Sequence, residues 1–219
     1  MERIVTAIKV QKRNSNRVNI DLDGEFAFGL SRLVSAWLNV GDRLTESKVE
    51  ELLNRDTDEV IYQKALNLIS RRPRSEKEIR QKMAEKQYEA TQVDRTIERL
   101  KSSGLIADEK FAEMWVENRS EFHPRSQRLI RYELKSKGIE DDTIENALKV
   151  SADEAELARR AAVQYERRLE AADWLTYRKR LSGFLARRGF SYGTVSSIVQ
   201  ELWNSREQGH GNLTNNEEF

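Results

Sequence analysis

The chain is 219 residues long, with 38 Lys and Arg set against 37 Asp and Glu, a net charge of +1 and no cysteine. Disulfides, cysteine nucleophiles and thiolate metal sites are therefore impossible, and with only His123 and His210 there is no basis for a histidine metal cluster or a Ser-His-Asp triad. Charged residues reach 34%, against a usual ~25%, so a thin core beneath a large solvated surface is expected, as in elongated helical proteins. No apolar run approaches the ~20 residues of a membrane span, and Met1 to Thr6 open no signal-peptide core. The expectation is a soluble cytoplasmic protein without membrane contact.

Ile4 to Ser31 read as strands. Ile4, Thr6, Ile8 and Val10 alternate with Val5, Ala7 and Lys9, and Arg17 to Leu22 alternate more cleanly. Asp23-Gly24 between alternating runs signals a hairpin, because a type I′ turn needs two positive φ angles. Asn14-Ser15-Asn16 is expected to turn the first strand into the second, and Glu25 to Leu30 completes a three-stranded antiparallel β meander. Leu33, Val34, Trp37 and Leu38 on a short helix are its expected cover. From Thr45 helical signals dominate: Thr45 caps a helix carrying Val49, Leu52 and Leu53, and Asp58 opens another carrying Ile61, Ala65, Leu68 and Ile69. Ser75 to Glu78 read as a capping box, the Ser hydroxyl accepting from the Glu78 amide while the Glu78 carboxylate reaches back. The polar tail from Ser205 to Phe219 is expected to be disordered.

Shifting the sequence by 51 residues reveals a repeat. Pro73-Arg74-Ser75 recurs as Pro124-Arg125-Ser126, and Ile79, Ile130 and Leu181 align, as do Met83, Leu134 and Leu185. Lys86-Gln87-Tyr88, Lys137-Gly138-Ile139 and Arg188-Gly189-Phe190 follow, then Val93, Ile144 and Val195, then Ile97, Leu148 and Val199. Each copy reads as three helices, the second ended by a residue such as Gly138 or Gly189 that tolerates the left-handed conformation. First helices align less tightly: Ala65 matches Ala112 at an offset of 47, and Ala158, Ala161, Ala162 and Tyr165 serve in the third copy. The fold class expected is mainly α, with three tandem three-helix repeats in an elongated array behind the β meander. The boundaries read 1–45 for the meander and short helix, 46–107 for a linker helix and first repeat, 108–152 and 153–204 for the second and third repeats, and 205–219 for the tail.

Counted segment by segment, no part of the chain is strongly basic, yet the repeat preserves basic positions. Lys77, Arg128 and Lys179 are equivalent, as are Lys86, Lys137 and Arg188, with Arg74/Arg125 and Arg80/Arg131 matching in two copies. On second helices these form either an ordinary solvated face or a basic ridge that grips phosphates or an acidic protein surface. Arg71, Arg72 and Arg74, without an interleaved acid, are the strongest candidates, although Arg71 and Arg72 also suit a helix C-terminus. Trp37, Trp115, Trp174 and Trp203 are expected in cores and not as stacking platforms. Asp108-Glu109 and Asp141-Asp142 sit where helices begin, and Asp21 to Gly24 lacks the ligands of a calcium loop. There is no phosphate-binding Gly-rich loop and no catalytic constellation, so neither an enzyme nor a cofactor is expected.

The run Ala65 to Ile79, with Arg71-Arg72-Pro73-Arg74-Ser75-Glu76-Lys77-Glu78 at its centre, and the run Arg99-Leu100-Lys101 to Ala112 resemble the RecX family of bacterial regulatory proteins. Glu133 to Ile139 resembles that family's second-repeat signature. The resemblance covers Ile61 to Leu202, and the N-terminal hairpin region is similar to the extension of longer members. What it implies is a monomeric, non-enzymatic modulator of the RecA recombinase in DNA repair, recombination and the SOS response. Such a protein lies in the groove of the RecA filament on single-stranded DNA and inhibits strand exchange and ATP hydrolysis. A stand-alone protein binding single- or double-stranded DNA is the other reading. The third copy departs from the pattern, with Leu175-Thr176-Tyr177 in place of Pro-Arg-Ser.

Overall fold

In the computed structural model, which describes residues 2–214 with side chains through 208, Asp23 and Gly24 take φ angles of 53° and 91°. They close the expected hairpin between β2 (Asn14–Leu22) and β3 (Glu25–Ser31). The first turn falls at Lys12-Arg13 and not at Asn14 to Asn16. Asn14 pairs with Gln11 at the end of β1 (Glu2–Gln11), while its side chain accepts from the Asn16 amide at 3.1 Å. A fourth strand, β4 (Arg43–Thr45), joins the sheet, whose order is β3-β2-β1-β4, antiparallel throughout. Three residues with one apolar side chain carry no periodicity, which is why β4 escapes a sequence reading.

The chain divides into two units, 1–106 and 107–219. In the first, Val5, Val18, Ile20, Leu22, Leu30 and Leu44 bury one side of the sheet. The cover differs from the expected one. Helix α1 (Arg32–Ser35), capped by Ser31, and the turn after it contribute only Val34 and Leu38, while Leu33 and Trp37 face solvent, Trp37 being 87% exposed. Leu52 and Val49 on α2 (Glu46–Ile69) supply the rest. That helix, capped by Thr45 as expected, runs unbroken for 24 residues, so Asp58 does not open a second one. No Gly or Pro interrupts it, and its aspartates have other partners. Asp56, 6% exposed, accepts from the Ser31 amide and from Arg17 at 2.8 Å, fastening α2 to the sheet, and Asp58 takes a two-pronged contact from Arg95.

The second half of α2 then packs with α3 (Glu76–Ala84) and α4 (Ala90–Ser102) around Ile61, Ala65, Ile79, Met83, Val93 and Ile97. Both halves of the Ser75/Glu78 capping box are formed. In the second unit, α5 (Asp108–Glu121), α6 (Gln127–Ser136) and α7 (Asp141–Leu148) bury Ala112, Val116, Ile130, Leu134, Ile144 and Leu148. Helices α8 (Glu154–Glu166), α9 (Trp174–Arg187) and α10 (Tyr192–Thr214) do the same with Ala158, Ala161, Leu181, Leu185, Val195 and Val199. The four aligned apolar positions are buried in all three copies. Trp115, Trp174 and Trp203 join these cores as expected; Trp37 does not. The tail is also corrected: α10 continues through Thr214, beyond the expected break at Ser205. Arg206 donates to the Leu169 carbonyl at 3.1 Å and Trp203 to Glu207 at 2.8 Å, extending the helix past its apolar stretch. The remainder of that expectation, 215–219, lies outside the described residues.

The second and third three-helix units meet at a tight contact. The Ser126 amide donates to the Arg188 carbonyl at 3.0 Å, and Gly189, at φ 88°, approaches so closely that a Cβ there would stand 2.4 Å from the Ser126 Oγ and 2.9 Å from the Leu129 Cβ. Gly24 has φ 91° but open space around it. Gly24→Ala is therefore expected to cost only the backbone penalty of about 1–2 kcal/mol, and Gly189→Ala distinctly more. Denaturant unfolding of the two variants checks this, and equal losses would contradict the contact.

Candidate partner-binding surface

The basic positions singled out by the repeat divide into inward and outward sets. Arg80 on α3 donates to Glu76 at 2.7 Å and to Asp94 on α4, and those hydrogen bonds, Asp94 first, raise its guanidinium above the ordinary range. Arg131 on α6 makes the same bridge to Glu145 on α7 with two contacts of 2.8 and 3.1 Å, again raised by its partner. The two bridges are 51 residues apart and join second to third helix in each unit. Arg72 grips Glu78 through both its terminal nitrogens, at 3.1 and 3.0 Å, behind the capping box. Arg74 is half-buried.

Over residues 107–219 the inward set is larger. Arg119 and Arg125 converge on Glu133, which also accepts from the Trp115 indole at 2.8 Å. Arg188 donates to the Pro124 carbonyl at 2.8 Å and lies over the Phe184 ring. Burial, followed by the nearness of Arg125 and Arg119, pushes the Arg188 guanidinium down; burial and Arg119 do the same to Arg125. Lys137 sits 4.4 Å over the Trp115 ring, and Arg128 reaches the Gly189 carbonyl at 3.3 Å. These side chains bind parts of the chain to one another. The remaining positions face solvent: Arg71, Lys77, Lys86 and Lys179 are exposed, and Arg71, Lys86 and Lys179 make no side-chain ion pair among the described residues.

A concentration of charge that segment counting missed lies on α9. Arg178, Lys179, Arg180 and Arg187 are all exposed and form no ion pair among the described residues. Arg180 and Arg187, seven apart, share a helix face. A count over the whole third repeat averages this helix with the acidic start of α8. The available signal was the absence of any Asp or Glu between Asp173 and Glu201. Asp108-Glu109 and Asp141-Asp142 occupy the first turns of α5 and α7, where carboxylates complement the helix dipole. Among the described residues no group of acidic or histidine side chains is arranged to hold a metal, and no helix is long and apolar enough to cross a membrane.

Three-helix units that follow a small antiparallel sheet in the chain, with cations on second helices, define a class of helical-repeat proteins. Family models match in the same order: the regulatory protein RecX N-terminal domain at residues 3–45 and the first, second and third RecX three-helix domains at 62–100, 108–148 and 152–199. Regulatory protein RecX of Bacillus pumilus is 31% identical over 208 residues, covering 93% of this chain and 79% of its own. That of Clostridium perfringens strain 13 is 31% identical over 207 residues, covering 92% and 97%. A crystal structure of regulatory protein RecX superposes with a TM-score of 0.68 at 27% identity over 90% of this chain and 98% of its own, and RecX from Lactobacillus salivarius gives 0.55 at 27% over 68% and 97%. The chain belongs to the RecX family of regulatory proteins.

The bridging carboxylates set a pH dependence. Burial pushes the Glu76 carboxyl up, but hydrogen bonds from Lys101 and Arg80 outweigh it, and Arg131 lowers Glu145, so both stand below their ordinary 4.5. Groups depressed in the fold contribute stability that is present above the unfolded value and lost as pH falls through the folded one. Thermal unfolding is expected to move to lower temperature on acidification below about pH 4.5, less steeply in Glu76→Gln. Parallel curves for the variant and the native chain would contradict this role.

Proposed function

We propose that this chain binds the RecA recombinase filament on single-stranded DNA and inhibits its growth, strand exchange and ATP hydrolysis in DNA repair, recombination and the SOS response. The observation that carries the reading is the recurrence of one three-helix frame in three copies within a family of regulatory proteins. A partner that repeats, as a filament does, can be engaged by a chain that repeats, each unit meeting a similar surface. Regulation by binding also suits a chain whose cations lie on helix faces, with no catalytic constellation among the described residues. The protein acts as a monomer in the cytoplasm on this reading. The unpaired cations of α9, with Arg71 and Lys86, are its contact candidates.

The acid-free stretch from Asp173 to Glu201 also favours a second reading, direct binding of nucleic-acid phosphates without RecA. Single-strand-stimulated ATP hydrolysis by RecA separates the two. Inhibition is expected at stoichiometric amounts, weakened several-fold by Arg180→Glu with Arg187→Glu, while Arg80→Gln and Arg131→Gln lower the melting temperature instead. No effect of the native chain in excess, together with tight, steeply salt-dependent binding to DNA alone, would select the second reading.

A further inference from the structure

The third three-helix unit departs from the others at one place on its surface. In the 51-residue frame, Glu76, Arg80 and Asp94 correspond to Gln127, Arg131 and Glu145, and then to Arg178, Ser182 and Ser196. The arginine bridge that joins second to third helix in the first two units is thus replaced by two serines. Neither serine hydroxyl hydrogen-bonds among the described residues, and the charge of the three positions has passed from −1 through 0 to +1. Where the bridge would stand, a groove of about 640 Å³ lies between α9 and the start of α10.

The lining of this groove has a definite chemistry. Leu175 and Tyr192, on adjoining elements, flank it and are 73% and 82% exposed, so they give the groove an apolar rim. The aligned residues in the other units are Pro73 and Ala90, and Pro124 and Asp141. Arg178 and Lys179 line the groove, both without an ion-pair partner among the described residues, and no carboxylate lines it. A phosphate backbone would use the two cations but gain nothing from Leu175. A purely apolar partner would leave the cations idle. We propose that the α9–α10 groove docks an acidic peptide segment carrying an apolar side chain, Leu175 and Tyr192 covering the apolar group while Arg178 and Lys179 meet its carboxylates.

Selection of a displayed random-peptide library on the full chain tests this, followed by fluorescence anisotropy with the enriched peptides. Acidic sequences with an aromatic or aliphatic residue are expected to be enriched. Ser182→Arg with Ser196→Glu, which restores the bridge of the second unit, is expected to weaken them by about tenfold or more. Lys179→Glu, a change at an exposed side chain that leaves the core intact, is expected to weaken them and to reduce their salt dependence. Circular dichroism reports whether the double variant folds; if it does not, Lys179→Glu and Tyr192→Ser decide. Enrichment without acidic character, or unchanged affinity in the folded variants, would overturn the proposal. So would a labelled single-stranded oligonucleotide that binds the chain and loses affinity to Lys179→Glu while no peptide binds.

Discussion

Four buried positions, two on a second helix and two on a third, hold each three-helix unit together, and the rest of the architecture follows from keeping them in register. Ile79, Met83, Val93 and Ile97, with their counterparts 51 and 102 residues on, are all essentially inaccessible. Each such side chain contributes roughly 1.5–3 kcal/mol on burial, and truncating one to alanine costs more because a cavity remains. Second helices consequently end at the same place, with Gln87, Gly138 and Gly189 all at positive φ. The register also brings Gly189 against Ser126, where only glycine fits.

With the interior fixed, the outer faces can differ, and charge is distributed accordingly. In the first two three-helix units an arginine bridges the second and third helices. Around Glu133 further arginines are committed to internal contacts, at some cost from burying cations near one another. Repeated basic positions thus serve two purposes: one set fastens helices, and another, Lys77, Lys86 and Lys179, is exposed, as are the unrepeated Arg71 and further cations on α9. Near-neutral net charge is the sum of these internal pairs and a local excess of cations, and it says little about any one face.

Much of the fold is legible in the sequence because it is periodic. The 51-residue frame, the capping box at Ser75 and the Asp23-Gly24 turn each rest on a local rule that the tertiary structure obeys. What escapes is set by partners distant in sequence. The unbroken α2 depends on Asp56 and Asp58 meeting Arg17 and Arg95 instead of capping a helix. Trp37 looks like a core residue by composition, yet Val34 and Leu38 take the face toward the sheet and leave Leu33 and Trp37 to solvent. Whether a repeated arginine bridges depends on the residue opposite, and Asp94 and Glu145 become informative only once α4 and α7 are known to lie beside their second helices.

The proposed contact with a partner lies on the third three-helix unit, at the acid-free surface of α9 and the first turns of α10, while the repeated arginines of α3 and α6 fasten helices. Hydrogen–deuterium exchange of the full chain, free and on RecA filaments assembled on single-stranded DNA, tests this directly. Slowed exchange concentrated in Trp174–Arg187 and the first turns of α10 is the predicted result. Slowing confined to Glu76–Ala84 and Gln127–Ser136, with α9 unchanged, would contradict it.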